Sequence, residues 1–170
     1  RGVRVATGLA FLLCLAGCWK PSQPEGSEAS QGGSAALGPL TPSRLSTLIG
    51  LYQAGAEPNL SRLCVVAGRR SSRFGLVVWD RGGQSCSGSG FVSRDGGGLR
   101  FTMSGDSPCS IHASISGHTI IFDRTVPAGC GYYCGRGAGL AGMRLTQTGA
   151  ARGAAMRAAD LVGEPLCSDD

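Results

Sequence analysis

From Arg73 to Phe122 apolar and polar residues alternate with a period of two. Phe74, Leu76 and Val78 share one phase of Arg73–Trp79. Leu99, Phe101 and Met103 alternate with Arg100, Thr102 and Ser104, and Cys109, Ile111, Ala113 and Ile115 alternate with Ser110, His112 and Ser114. Ile120 and Phe122 follow, and Ala141, Met143 and Leu145 repeat the pattern nearer the end. Successive strand side chains point to opposite faces, so this is the pattern of antiparallel strands with one buried face. Turn-forming clusters punctuate it: Asp80-Arg81-Gly82-Gly83, Asp95-Gly96-Gly97-Gly98, Ser104-Gly105-Asp106-Ser107-Pro108 and Ser116-Gly117. A two-residue Ser116-Gly117 loop predicts Ile115 opposite His118, Ala113 opposite Ile120 and Ile111 opposite Phe122. An Asp95–Gly98 loop predicts Val92 opposite Phe101 and Gly90 opposite Met103. The spacing predicts a mainly β domain, an antiparallel meander that forms a small barrel or sandwich.

Glycines and the flanks refine this picture. Gly88 and Gly90 inside a strand predict a kink or a close approach. With Ala113 on the inner face, they either leave room for a cavity or compensate for bulky neighbours such as Phe101. Thr41-Pro42 suits the start of a helical turn before Leu45, Leu48 and Ile49, leading into a first strand at Ile49–Tyr52. Ala150–Leu161 is rich in Ala and Arg and predicts a short C-terminal helix, ended by Gly163, with Cys167 stapling the tail to the domain.

The first residues carry a different message. Arg1 and Arg4 precede the apolar run Val5–Leu15, and no acidic residue occurs before Glu25. The run falls short of the ~20 residues that span a bilayer, and with its basic start it reads as an export signal. Leu15-Ala16-Gly17-Cys18 resembles the lipobox of bacterial lipoproteins. The resemblance implies a diacylglycerol on the Cys18 thiol, cleavage before Cys18 and acylation of the new amine, which anchor the chain in a membrane. Trp19 stands where an Asp would imply inner-membrane retention, so the periplasmic side of the outer membrane is expected. The chain begins without Met, so a truncated or misassigned start is expected. Residues 18–44 follow as the lipidated Cys and a tether of Pro, Ser, Gly, Gln, Glu and Ala, too poor in apolar residues to fold. The expected organisation is a signal peptide over 1–17, the anchor and tether over 18–44, and a single β domain over 45–170.

Of the eight cysteines, Cys14 lies in the signal and Cys18 is the lipid site. Cys64, Cys86, Cys109, Cys130, Cys134 and Cys167 remain, and an even set in an exported domain reads as a disulfide framework. For Cys130-Gly131-Tyr132-Tyr133-Cys134 a local bridge is the first expectation, and bridges from each cysteine to distant strands the second. A redox motif needs one residue fewer between the cysteines, and a zinc site needs further ligands. The formal net charge of +5 falls to +3 once Arg1 and Arg4 leave with the signal. The arginines are scattered apart from Arg69-Arg70, without the aromatic interleaving of a nucleic-acid surface.

No catalytic constellation stands out. The predicted hairpin sends His112 and His118 to opposite faces, so neither a metal nor a cofactor is expected. Gly88-Ser89-Gly90 lies within a strand rather than at a nucleophile elbow or a phosphate loop. Trp79, Tyr132 and Tyr133 are the candidate contact surface, set against ordinary packing. Together these features resemble small envelope lipoproteins of GC-rich Gram-negative bacteria. They are also loosely similar to periplasmic lysozyme-inhibitor lipoproteins through the Ser-Gly pairs at 87–90 and 104–105, although a positive charge disfavours meeting a cationic enzyme. The expectation is a lipid-anchored, non-enzymatic binding module whose partner is an envelope protein or a small ligand. A calycin-like barrel or an enzyme inhibitor comes next, and a hydrolase after that.

Overall fold

The computed structural model describes residues 46–105 and 107–168. The lipobox, Cys18, the tether and Thr41-Pro42 lie outside them. A 3-10 turn at Ser46–Leu48 leads into β1 (Gly50–Ala54). The meander continues through β2 (Ser61–Ala67), β3 (Ser72–Trp79), β4 (Ser85–Asp95), β5 (Gly98–Met103), β6 (Ser110–Ser116), β7 (Thr119–Phe122) and β8 (Arg144–Gly149). Each strand pairs antiparallel with the next, and β8 pairs with β1, so the fold is a closed eight-stranded barrel. Closure leaves no edge strand exposed.

The barrel is small enough for side chains to fill it. Phe74, Phe101 and Phe122 meet edge to face inside, with ring centroids 5.1 and 5.2 Å apart. Leu63, Leu76, Leu99, Ile111, Ile120 and Leu145 pack around them, fully buried. β4 supplies the small partners. Gly90 lies in register between Phe74 and Met103, and a Cβ there would come within 2.0 Å of the Thr102 carbonyl. A Cβ on Gly88 would press on Met103 Sδ at 2.9 Å and on the Tyr133 ring at 3.3 Å. The two glycines therefore accommodate their neighbours; they do not open a cavity.

The registers can be compared with expectation. Val92 faces Phe101 and Gly90 faces Met103 as predicted, with the strands extending until only Gly96-Gly97 form the loop. The β6–β7 tip differs. Ser116 pairs with Thr119, Ile115 with Ile120 and Ala113 with Phe122, so the loop is Gly117-His118. The shift of two residues keeps every inward residue inward. It also moves Gly117 to the first loop position, where φ is +58°, a conformation that suits a residue without Cβ. Ala141 lies in a turn rather than on the last strand, which starts at Arg144.

β2 is the strand that alternation does not reveal. Leu63 and Val65 face the interior core, whereas Cys64 and Val66 belong to a second cluster with Ala155, Ala158 and Cys167. Burial on both faces produces a continuous apolar run. The covering layer is the C-terminal segment, where the expected short helix is present but covers less than the Ala150–Leu161 span read from the sequence. The helix α1 spans only Arg152–Met156. The chain then folds back, with Ala159 bridging to Pro165 and the Leu166 N–H donating to the Ala158 carbonyl. Gly163 serves this second turn, well past the end of α1. Cys167 bonds to Cys64, stapling the tail as expected.

The 20 residues or so between β7 and β8 close the other end of the barrel. A 3-10 segment at Ala128–Tyr133 brings Cys130 to Cys109, and the extended residue after it pairs with β4, so that Cys134 bonds to Cys86. The expected local Cys130–Cys134 bridge is therefore replaced by two bridges to the wall, because the segment crosses the barrel end and aims its two cysteines at different strands. Cys130 and Leu140 are buried in the main core.

Two outcomes follow for stability. Gly75 on β3 lies under the tail, where a Cβ would sit 2.0 Å from the Leu166 carbonyl. Gly75→Val is expected to lift the tail and destabilise the domain by about 2–3 kcal/mol, read by urea unfolding. Cys64 and Cys167 are 103 residues apart, and the joint Cys64→Ala, Cys167→Ala variant is expected to lose roughly 4–5 kcal/mol. A loss under about 1 kcal/mol would show that the tail contributes little to the barrel.

Candidate functional site

Because side chains fill the interior, the outer wall and the two ends are the surfaces open to contact. Of the aromatic residues singled out from sequence, Trp79 ends β3 half-buried, its backbone N–H donating to Ser61 Oγ at 3.0 Å. Tyr133 is also half-buried, and its hydroxyl donates to the Ser107 carbonyl at 2.7 Å. Tyr132 stacks edge to face on it with centroids 5.2 Å apart and is 66% exposed. Strand direction brings all three to the same barrel end, but only Tyr132 is strongly presented to solvent. The six domain cysteines are all in bridges.

The histidines stand apart in the fold. His112 lies on the outer wall of β6, its Nδ1 3.3 Å from Asp95 Oδ2, an oxygen that also accepts from Arg100. His118 is on the exposed β6–β7 tip. Asp95, Arg100 and His112 form a partly exposed polar cluster on the outer wall. Among the described residues no group of three or more His, Cys, Asp and Glu side chains is placed to hold a metal. Ser87–Gly90 is part of the strand wall. Ser104-Gly105 lies in the β5–β6 connection, where a Cβ on Gly105 would collide with the Tyr133 ring.

The wall along β4 presents a different chemistry. Its outward residues run Ser87, Ser89, Phe91, Ser93, and Phe91 is 46% exposed. The Arg73 guanidinium, on the neighbouring strand directly across, lies 5.7 Å from the Phe91 ring centroid. The ring borders a shallow recess of about 300 Å³ with Arg69, Arg70 and Arg73 around it. Further down the wall, a recess of about 270 Å³ lies between Ser87–Ser89 and the tail residues Asp160, Leu161, Pro165 and Leu166. Asp160 Oδ1 accepts the N–H groups of Val162 and Glu164, both at 2.9 Å. That turn holds Leu161 and Val162 out at 48% and 82% exposure. Three large apolar side chains therefore flank one strand. Arginine and aromatic residues at its upper end match the composition of contact surfaces. Sequence did hold a signal for Phe91: it is the apolar residue on the polar phase of β4. Leu161 stands at the end of the expected helix Ala150–Leu161, and Val162 just beyond it, so neither drew notice.

The end of the barrel where β1 begins carries another recess, of about 320 Å³, lined by Leu48, Tyr52, Ile115, His118 and Gln147 among others. The buried Tyr52 hydroxyl donates to the Leu48 carbonyl at 3.0 Å and accepts from Gln147 Nε2 at 3.4 Å. Burial pushes the Tyr52 phenol up from its ordinary value near 10.0. The unfolded chain therefore releases this proton before the folded one does. The contribution of Tyr52 to stability is complete below about pH 10 and is lost as pH rises toward the folded value. Stability measured up the alkaline range is expected to fall from about pH 10 onward in the parent and less steeply in Tyr52→Phe. Identical slopes would contradict the assignment. Protein-family models, curated proteins and solved structures offer no match to the chain, so its function is read from its own residues.

Proposed function

We propose that the chain is a lipid-anchored, non-enzymatic binding module of the cell envelope. In this reading it is held at the periplasmic side of the outer membrane through Cys18, and it engages an envelope protein through the wall along β4. The observation that carries the reading is the contrast between a barrel interior filled by Phe74, Phe101 and Phe122 and an outer wall that exposes Phe91, Leu161 and Val162. Disulfide bonds at all three cysteine pairs agree with an oxidising compartment. The rigid wall, stiffened by closure and by the stapled tail, suits a surface that binds without rearranging.

A photo-crosslinking residue placed at Phe91 is expected to trap one predominant envelope protein. Phe91→Ala together with Leu161→Ser is expected to weaken that complex about 30-fold or more, as loss of a central apolar anchor does. Equal trapping from a probe at exposed Arg81, on the other end, would sink the wall as the site. The anchor is tested separately. Palmitate labelling is expected in the parent and not in Cys18→Ser.

A second reading, a small-ligand binder, is favoured by the recess at Tyr52 and Ile115, since barrel mouths commonly hold such sites. Native mass spectrometry of the exported chain discriminates. A bound small molecule lost on Ile115→Arg would move this reading ahead of the first.

A further inference from the structure

The strand directions sort the charged residues between the two ends of the barrel. Arg69, Arg70, Arg73, Arg94, Arg100 and Arg152 belong to the end where β1 begins, with Arg73, Arg94 and Arg152 each holding a partner of its own, and among the described strands and hairpin tips Asp95 is the one carboxylate there. That carboxylate is already engaged by Arg100 and His112. The opposite end mixes signs: Glu57, Asp80 and Asp123 lie among Arg62, Arg81, Arg124, Arg136 and Arg144. The arginine-rich end is also blunt. Its hairpin tips at Gly96-Gly97 and Gly117 have open space where a side chain would be. Arg69 and Arg70 are exposed on the β2–β3 tip, and Ile115 is exposed near the β6–β7 tip. A blunt rim with positive charge and some apolar surface suits a flat, negatively charged, partly apolar partner.

This is also the end at which the chain enters the barrel, through Ser46–Leu48 and β1. We infer that the domain docks end-on, through Arg69 and Arg70, onto the anionic phospholipid surface of the membrane that holds its anchor. The orientation rests on the proposed lipid at Cys18; the affinity for anionic lipid does not. A lipid at Cys18 would hold the domain beside the membrane at an effective concentration in the millimolar range. A weak surface affinity is then enough to keep it docked.

The test uses the disulfide-bonded chain beginning at Trp19, without lipid. The barrel closes within residues 46–168 and contains all three bridges, so this form retains it. Co-sedimentation with vesicles of equal parts phosphatidylglycerol and phosphatidylcholine is expected to show binding that fades with added salt. Vesicles of phosphatidylcholine alone are expected to show none. An arginine near an anionic surface contributes about fivefold in affinity, so Arg69→Gln with Arg70→Gln is expected to lose about 25-fold. The matched pair Arg81→Gln with Arg136→Gln, at the other end, is expected to change binding less than about twofold. No preference for anionic vesicles, or equal losses from both pairs, would overturn the inference. Displacement by inorganic phosphate at constant ionic strength would also overturn it, by making the arginine recess a site for a discrete anion. Absence of palmitate on Cys18 would remove the anchor while leaving the vesicle result to stand or fall alone.

Discussion

Three phenylalanine rings meeting edge to face set the dimensions of this molecule. They occupy the axis of a barrel whose wall must curve closely enough to enclose them. The wall manages this because β4 brings Gly88 and Gly90 to the places where the neighbouring strands bring Phe74, Leu76 and Met103. Large and small residues interlock at near-crystalline density, and the hydrogen-bonded ladder follows the circumference that this packing fixes. The pairing of β8 with β1 has a register shift between Leu51 and Tyr52, a local irregularity of the kind that lets a strand bend into a closing sheet. Thr148 Oγ1 meets Gln53 Oε1 at 2.8 Å across that seam, and Tyr52 anchors the preceding turn from inside. Filling the axis leaves the outer face of the wall and its ends as the surfaces open to contact.

Much of this was legible in the order of residues, and the exceptions have physical causes. Strands with one wet face were read correctly from alternation, including the pairing of Gly90 with Met103, since a slip of one residue would expose Phe101. The β6–β7 tip was displaced by two residues because either choice keeps the same side chains inside, and hydrophobic pattern cannot separate them. β2 was silent because the tail covers Cys64 and Val66. The tail reads as a short helix continuing to Leu161 because Ala and Arg favour helix locally, whereas the helix stops at Met156. Its turn at Asp160 depends on contacts with β3 and β4 that no local window contains. Cys130 and Cys134 illustrate the same limit, since nearness in sequence gave way to the direction in which the segment crosses the barrel end.

The candidate surfaces were less legible than the fold. Trp79, Tyr132 and Tyr133 attract notice as aromatic residues, yet the hydrogen bond from the Tyr133 hydroxyl and the packing of its ring make it largely structural. Phe91 drew none, because one phenylalanine among serines looks ordinary until its strand phase is known. Arg69-Arg70 is an isolated pair among arginines otherwise scattered along the chain, and only the up-and-down course of the strands gathers it with Arg94 and Arg152 at one end. Charge distribution of this kind is a property of topology, so it emerges with the barrel.

The bridge between Cys64 and Cys167 has a mechanical side. It turns the chain from the middle of β2 to the tail into a covalent ring that contains most of β2 and all of β3 through β8. Tension applied between Ser46 and the tail would be carried by residues 46–63, and from there it would pass directly through sulfur to residue 167. Pulling could peel away β1 and the first part of β2 and then stop. The strands that hold the phenylalanine axis and the β4 wall lie inside the ring, sheltered from the load.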